Sequence, residues 1–155
     1  MVNKERSSKR NKRNKRQGDG WSYKVVRFFA DCFELTAFDN KNHAEWQVAT
    51  SKAMSKGKDG MGIDVVFRED QPEYIQRLLP QNKKTLSKGK KSTSIDIQPL
   101  LNIHKLRPES DIPLLFTKVT RETKSRESTV CELVTMEMKD FRIFLEAYKV
   151  KNKEK

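Results

Sequence analysis

The apolar residues of the chain recur at helical spacing near both ends. Between Trp21 and about Leu35 they repeat at three- and four-residue steps with charged residues between them, which predicts an amphipathic helix. A second apolar stripe occurs in the segment MKDFRIFLEAYK and consists of Phe141, Phe144, Leu145 and Tyr148. We therefore predict one helix that opens the folded part of the chain and one that closes it.

Between these helices, short apolar and β-branched runs predict a sheet. The expected strands cover residues 45–50, 63–67, 92–98, 112–120 and 129–136. The segment SKAMSKGKDGMG is expected to be a mobile loop because it is rich in Gly, Lys and Ser. Short helical pieces are expected just before Pro80 and over residues 100–106. This order predicts an α/β or α+β domain whose sheet is covered by helices.

Positive charge is concentrated at the N-terminus. The chain has 155 residues, with 33 Lys and Arg against 21 Asp and Glu, and a net charge of +12. Residues 1–16 hold eight of these cations and one acid and show no apolar periodicity, so we expect a disordered basic arm. Residues 17–149 are then expected to form a single domain, and residues 150–155 a frayed basic tail.

Nucleic acid is the partner that the basic clusters favour, because Lys and Arg neutralise backbone phosphates and release condensed counterions. The residues expected to contact it are Lys9, Arg10, Lys12, Arg13, Lys15 and Arg16 in the arm and Lys83, Lys84, Lys88, Lys90 and Lys91 in a second cluster. A solvated surface, or a nuclear import signal if the source is eukaryotic, would explain the same charge.

Membrane and secretory classes are not indicated by the sequence. No apolar run reaches the roughly 18 to 20 residues needed to span a bilayer, and no apolar segment follows the basic N-terminus. We therefore expect an intracellular protein, cytoplasmic or, in a eukaryote, nuclear. Cys32 and Cys131 lack the spacing of a zinc site or a disulfide framework and are expected to be buried thiols.

Two aspartates interrupt predicted strands. The alternation of side chains directs Asp64 away from the apolar face of the strand at 63–67, and Asp96 and Gln98 away from that of the strand at 92–98. If these strands are neighbours, the three side chains converge, and two nearby carboxylates imply a bound cation or a shifted pKa. A hard ion such as Mg²⁺ suits oxygen ligands of this kind. The alternative is that both aspartates face solvent or cap loop edges.

Five segments follow one another in a characteristic order: KRQGDGWSYKVVRFFADCF, SKAMSKGKDGMGIDVVF, SIDIQ, IPLLFTKVT and MKDFRIFLEAYK. This order resembles the PD-(D/E)xK nuclease superfamily, and within it the small phage-type Holliday junction resolvases and related DNA repair nucleases. The resemblance covers about residues 13–149 and lies in the order of elements more than in individual residues. It implies an α/β fold with a restriction-endonuclease-like core, in which helices flank a mixed central sheet.

The resemblance also implies roles for the site residues. Asp64 resembles the first metal-binding aspartate and Asp96 the second acid, and the carbonyl of Ile97 would be a backbone ligand. Gln98 stands where the family usually has the lysine that aligns the attacking water. The implied cofactor is Mg²⁺ or Mn²⁺.

The chain departs from the family pattern at several positions. The first helix offers Ser22 and Lys24 where family members commonly have a glutamate, and Ile63 rather than proline precedes Asp64. Glutamine at position 98 also removes a positive charge that would favour the nucleophile. These departures are consistent either with slow catalysis or with a descendant that only binds DNA.

The function implied by the resemblance is a divalent-metal-dependent DNA endonuclease that hydrolyses phosphodiesters of Holliday junctions, or of other branched or duplex DNA, with a metal-activated water. Ser51 and Lys52 resemble polar residues that approach DNA in this family. Symmetric junctions call for a twofold dimer, so a homodimer is expected, and a phage-encoded enzyme would act in the host cytoplasm. The alternatives are a non-catalytic DNA- or RNA-binding protein on the same fold and a ribosome- or RNA-associated basic protein.

Overall fold

A computed structural model describes residues 20–39, 41, 43–87, 94–106, 108, 110–122 and 127–153. The basic arm expected at residues 1–16 lies outside the described residues, as do Lys88, Lys90 and Lys91 of the second cluster. In the described part of the chain, none of the helices combines the length and the apolar content that crossing a bilayer requires.

Helices and strands alternate along the chain. The first helix, α1, covers residues 20–33. The remaining elements are β1 (Val48–Thr50), α2 (Ser51–Met54), α3 (Lys56–Gly60), β2 (Val65–Phe67), α4 (Glu73–Gln76), β3 (Leu78–Ser87), α5 (Gln98–Leu106), β4 (Ile112–Glu122), β5 (Glu127–Thr135) and α6 (Met138–Lys153). The mixed α/β class predicted from the sequence is confirmed.

The strands form a two-stranded and a three-stranded sheet. In the smaller sheet β1 and β2 are antiparallel. In the larger sheet β4 lies between β3 and β5, parallel to the first and antiparallel to the second, so this sheet is mixed. A parallel pair needs a crossover connection, and α5 supplies it because it lies between β3 and β4 in sequence and packs against both.

Apolar side chains pack on both faces of the larger sheet. Leu78 belongs to a core cluster with Val25 and Phe29 of α1, whereas Leu79 packs in a separate cluster with Ile63 and Ile103 of α5. Successive residues of a strand point to opposite faces. The sheet is therefore covered by α1 on one face and by α5 on the other.

A long strand, β3, runs through Pro80, where the sequence predicted the end of a short helix and then a lysine-rich loop. The carbonyl oxygen of Pro80 accepts a hydrogen bond from the backbone nitrogen of Asp64 at 2.9 Å, on the edge of β3 away from β4. The nitrogen of a strand residue faces the same side as its carbonyl, so the missing N–H of proline costs no hydrogen bond to β4. Proline is tolerated here for that reason.

The prediction of a strand at residues 92–98 is wrong for residues 94–98, the part of this range that the structure describes. Residues 94–97 have no regular secondary structure, and α5 begins at Gln98. The Oδ1 atom of Asp96 accepts a hydrogen bond from the backbone nitrogen of Gln98 at 3.0 Å, and such a local turn competes with strand pairing. Pro99 is tolerated in the first turn of α5, where a backbone N–H has no partner within the helix.

Two further expectations are corrected by the structure. The predicted mobile loop at residues 51–62 contains the short helices α2 and α3, and the hydroxyl of Ser55 caps α3 by accepting from the backbone nitrogen of Lys58 at 3.4 Å. Cys32, expected to be buried, is exposed on α1. The apolar stripe of α1 turns other residues inward, so position 32 falls on the solvent side of the helix.

The inward face of α1 can be tested by replacing two adjacent phenylalanines. The side chain of Phe29 is 3% exposed, and its ring centroid lies 5.2 Å from that of Phe67. We expect Phe29→Ala to lower the free energy of unfolding by about 3–5 kcal/mol, because it leaves a cavity in the core. Phe28, which is 49% exposed, is the matched control, and Phe28→Ala should cost clearly less in urea denaturation. Equal losses would contradict this orientation of α1.

Candidate functional site

Asp64 is held by backbone hydrogen bonds at the point where the chain enters β2. Its nitrogen donates to the Pro80 carbonyl at 2.9 Å, and its carbonyl accepts from the nitrogen of Ser51 at 3.0 Å. Its side-chain Oδ2 accepts from the backbone nitrogen of Asn82 at 2.7 Å. These bonds attach the aspartate to the edge of β3 and to the start of α2, so its carboxylate has a defined position.

Burial dominates the electrostatics of Asp64. Desolvation raises the pKa of its carboxyl above the ordinary value, and the negative charge of Asp59 raises it further. The hydrogen bond from Asn82 and the positive charges of Lys83 and Lys52 act in the opposite direction and lower the pKa. The Asp64 carboxyl is thus partly desolvated and lies in the field of two lysines, so a further charged group interacts with it more strongly than it would in water.

A cavity of about 340 Å³ opens beside this carboxylate. Its lining residues are Ser22, Tyr23, Thr50, Lys52, Ala53 and Asp64. The first two belong to α1, so α1 contributes to the same cavity as Asp64. Ser22 is one of the two positions where the resemblance led us to look for a glutamate, and a serine hydroxyl adds no negative charge there.

Gln81 and Lys83 lie on β3 before and after Asn82, whose backbone nitrogen donates to the Asp64 carboxylate. They are two residues apart and therefore share a face of the strand. Gln81 is 7% exposed, and its Oε1 atom is buried without a hydrogen-bond partner among the described residues. Lys83 is exposed, and its charge acts on the Asp64 carboxyl. The sequence analysis did not single out Gln81; the signal that could have found it is a Gln and a Lys two residues apart downstream of Asp64.

The Gln81 side chain lies so close to the backbone at position 62 that only a glycine, Gly62, fits there. Gly62 has a φ of +82°, and a Cβ atom at this position would lie 2.9 Å from the Nε2 atom of Gln81. The nitrogen of Gly62 donates to the carbonyl of Asp59 at 3.0 Å. A residue without a side chain thus lets the turn from α3 to β2 lie directly on the Gln81 amide.

Asp96 and Gln98 lie together at the start of α5. Asp96 is exposed and accepts from the backbone nitrogen of Gln98, while the Nε2 atom of Gln98 donates to Oδ1 of Asn102 at 2.9 Å. Ile97, between them, is also exposed. The structure therefore brings Asp96 and Gln98 to each other through a local turn.

The residues expected to contact DNA have different surroundings. Lys52 is exposed and lines the cavity beside Asp64. Ser51 is fully buried, and its hydroxyl donates to Oδ1 of Asp59 at 3.1 Å. Lys84 forms an ion pair with Glu127, with Nζ 2.7 Å from Oε2. Lys9, Arg10, Lys12, Arg13, Lys15 and Arg16 lie outside the described residues.

Comparison with protein-family models, with curated proteins and with solved structures finds no match to this chain. The resemblance to the PD-(D/E)xK nucleases therefore stays a prediction.

The burial of Asp64 predicts a specific pH dependence of stability. Its pKa is raised in the folded state, so the charged carboxylate opposes folding above that pKa, and the opposition disappears as the pH falls toward the unfolded value of 3.8. Asp64→Asn removes the charge and retains an oxygen that can accept from Asn82. We expect this variant to be more stable than the wild type at pH 7, with the difference shrinking on acidification in urea denaturation.

Asp70→Asn is the control of opposite sign. The hydrogen bond from the Arg68 guanidinium, with Nε 2.8 Å from Oδ1, lowers the pKa of Asp70 to about 2. The stabilisation from this exposed pair is present above pH 3.8 and is lost as the pH falls through about 2. Asp70→Asn should therefore be less stable than the wild type at pH 7. A destabilised Asp64→Asn would contradict the dominance of desolvation at Asp64.

Proposed function

We propose that this chain is a divalent-metal-dependent DNA endonuclease whose site is formed by Asp64, Gln81 and Lys83. The observation that carries the proposal is the attachment of Asp64 to β3 at Pro80 and Asn82, directly beside Gln81 and Lys83. Aspartate followed by Gln-x-Lys on the adjoining strand matches the pattern of PD-(D/E)xK with a glutamine in the second acidic position. The roles first assigned to Asp96 and Gln98 are therefore transferred to Gln81 and Lys83.

The order and pairing of the elements support the same family. The opening helix α1 is followed by the antiparallel pair β1 and β2, and Asp64 then connects the start of β2 to β3. The crossover helix α5 leads to β4, which is parallel to β3. This arrangement is similar to the restriction-endonuclease-like core, in which a mixed sheet lies between helices and the site lies at an edge of the strand that carries the lysine.

The donor atoms fit a hard divalent ion. Mg²⁺ and Mn²⁺ prefer oxygen ligands, and the residues at the site offer the Asp64 carboxylate and the Oε1 atom of Gln81, which is buried without a hydrogen-bond partner among the described residues. A bound ion of this kind acidifies a water and stabilises negative charge on a phosphate. The positive charges of Lys83 and Lys52 act on the Asp64 carboxyl, and these two side chains would hold the phosphate oxygens of the DNA strand in position.

The proposed substrate is branched or duplex DNA, in keeping with the basic arm of residues 1–16. Cleavage of a symmetric junction would require two copies of the chain related by a twofold axis, because both strands are cut at equivalent positions. We include this homodimer in the proposal.

A second candidate function is DNA or RNA binding without catalysis. One observation favours it: the side chain in the second acidic position, Gln81, is a neutral amide, so the pair Asp64 and Gln81 carries one negative charge instead of two. A divalent ion is held less strongly by such a pair, whereas Lys52, Lys83 and the arm would still bind phosphates. Measurements of cleavage and of binding separate the two functions.

The nuclease assignment is tested by incubating a labelled four-way junction and a matched linear duplex with the full-length protein in Mg²⁺ or Mn²⁺. We expect Asp64→Asn and Lys83→Met each to lower the cleavage rate by about 100-fold or more, since groups that act on the reacting phosphate and water contribute 10²–10⁴-fold. Asp96→Asn is the matched control and should cleave at nearly the wild-type rate.

Two results would contradict this assignment. If Asp96→Asn lost as much activity as Asp64→Asn, the site would include the turn at the start of α5. If the wild type bound the junction tightly but did not cleave it in either metal, the binding function would replace the nuclease.

The role of the arm is tested by deleting residues 1–16. The eight cations of this segment can release up to about 0.9 counterion per neutralised phosphate, so the slope of log K against log salt should fall by up to about 7 units. The double variant Lys52→Ala with Lys83→Ala, which removes two cations, should change the slope by about 2 units at most. Fluorescence anisotropy across a salt series measures both. An unchanged slope in the deletion variant would exclude the arm from DNA binding.

A further inference from the structure

Apolar side chains of α1, β5 and α6 line a groove on the face of the larger sheet that α1 covers. One part of the groove is a cavity of about 260 Å³, whose lining includes Phe28, Leu133 and Val134. The next part is a cavity of about 300 Å³, whose lining includes Phe28, Val134 and Phe144. The two cavities share Phe28 and Val134, so they form one continuous groove. Both of these side chains are about half exposed, and the groove is therefore open to the surface.

The helix α6 extends this apolar surface. Met138, Phe141 and Leu145 are spaced by three and four residues and therefore form a stripe along one side of the helix, next to Phe144 of the groove. These four side chains are between 40% and 81% exposed. A helix of this length in a protein owes most of its stability to the packing of its apolar face. The chain itself covers only part of that face in α6.

The apolar area of the groove and the stripe is large enough for a stable pairing. A large apolar side chain presents roughly 150–250 Å² when fully exposed, so at the observed exposures these residues leave on the order of 600 Å² accessible. A standard interface takes about 800 Å² from each partner, of which roughly 65% is apolar in homodimers. The available area therefore meets the apolar share that each copy of a dimer must supply.

The charges around the groove favour a protein surface over nucleic acid as its partner. Among the described residues that line the groove, the charged ones are Lys24 and Glu132, which form an ion pair with Nζ 2.7 Å from Oε2. Glu127, the other acid of β5, is paired with Lys84. Nucleic acid binds through cations that neutralise its phosphates, whereas each of these lysines is already matched by a carboxylate. Two copies of this surface can therefore meet without net repulsion.

We propose that the groove and the α6 stripe together pair with the same surface of a second copy of the chain about a twofold axis. The steps of three and four residues in the stripe are the spacing by which helices pack side by side, and a twofold axis brings the same patch of each copy together. This inference gives the homodimer of the proposed function its interface. It rests on that function for the number of copies, two, whereas the apolar surface itself does not depend on the metal site.

The test is the oligomeric state of the full-length protein without DNA, measured by analytical ultracentrifugation over a concentration series. We expect the wild type to be a dimer at micromolar concentrations. Met138→Lys and Leu145→Lys should each raise the dissociation constant of the dimer about 30-fold or more, because each places an unpaired charge where an apolar side chain is buried between the copies. Leu106→Lys is the matched control, since Leu106 is exposed on α5, on the opposite face of the sheet, and it should keep the wild-type dissociation constant.

A second measurement separates loss of the interface from loss of the fold. Met138 is 81% exposed, so a lysine at this position leaves the core of a single copy unchanged, and circular dichroism should show the wild-type content of helix and strand. Hydrogen exchange reports on the helix directly. Backbone amides of α6 should exchange more slowly as the concentration of the wild type rises, and their exchange should not depend on concentration in Met138→Lys.

Several outcomes would overturn the interface. These are a dimer that both α6 variants leave intact, a dimer that Leu106→Lys weakens equally, and open assemblies of more than two copies, because twofold pairing closes at two. A monomeric wild type would overturn it as well, and slower exchange of the α6 amides on addition of junction DNA would then assign the surface to DNA.

The same measurements keep this inference apart from the nuclease assignment. A dimer that is weakened as expected but cleaves no DNA would support the interface and contradict the metal-dependent function. A monomer that cleaves linear duplex DNA in Mg²⁺ through Asp64 and Lys83 would support the function and overturn the interface.

Discussion

The structure around the site depends on the attachment of Asp64 to β3. Two hydrogen bonds make it, one from the backbone nitrogen of Asp64 to the Pro80 carbonyl and one from the Asn82 nitrogen to the Asp64 carboxylate. They connect the two-stranded sheet to the three-stranded sheet without a regular ladder. The same bonds place the carboxylate next to Gln81 and Lys83 and keep it partly out of water. The same two hydrogen bonds therefore determine both where the Asp64 carboxylate lies and how far it is desolvated.

This attachment also explains why the turn before β2 has its particular residues. The chain must pass over the Gln81 amide to reach Asp64, and Gly62 with its positive φ allows that close approach. α3 precedes the turn and presents Asp59 to Ser51, which is itself hydrogen-bonded to Asp64. Hydrogen bonds thus connect Ser51 of α2 and Asn82 of β3 to Asp64, and Asp59 of α3 to Ser51.

Much of the fold could be predicted from periodicity, and the failures have physical reasons. The apolar steps of α1 and the β-branched runs of β2 and β4 were recognised because their apolar residues are buried, and β5 was recognised by its β-branched residues although it is mostly exposed. β3 was missed because Pro80 and a run of lysines read as a loop, although the proline N–H is not needed by β4. The alternation around Asp96 was read as a strand, yet a side-chain hydrogen bond to Gln98 makes a turn. Asp64 was singled out from the sequence as a polar residue in an apolar run, but its neighbours on β3 depend on a long-range contact that no local pattern contains.

The position of α1 connects the charge of the N-terminus with the site. Ser22, near the start of the described part of α1, lines the same cavity as Asp64. Arg16 precedes Ser22 by six positions, and six residues span no more than about 22 Å even when fully extended. Covalent connectivity alone therefore keeps Arg16, the last cation of the basic segment, within about 22 Å of Ser22. Positive charge tethered this close to the cavity would raise the local concentration of a polyanion there.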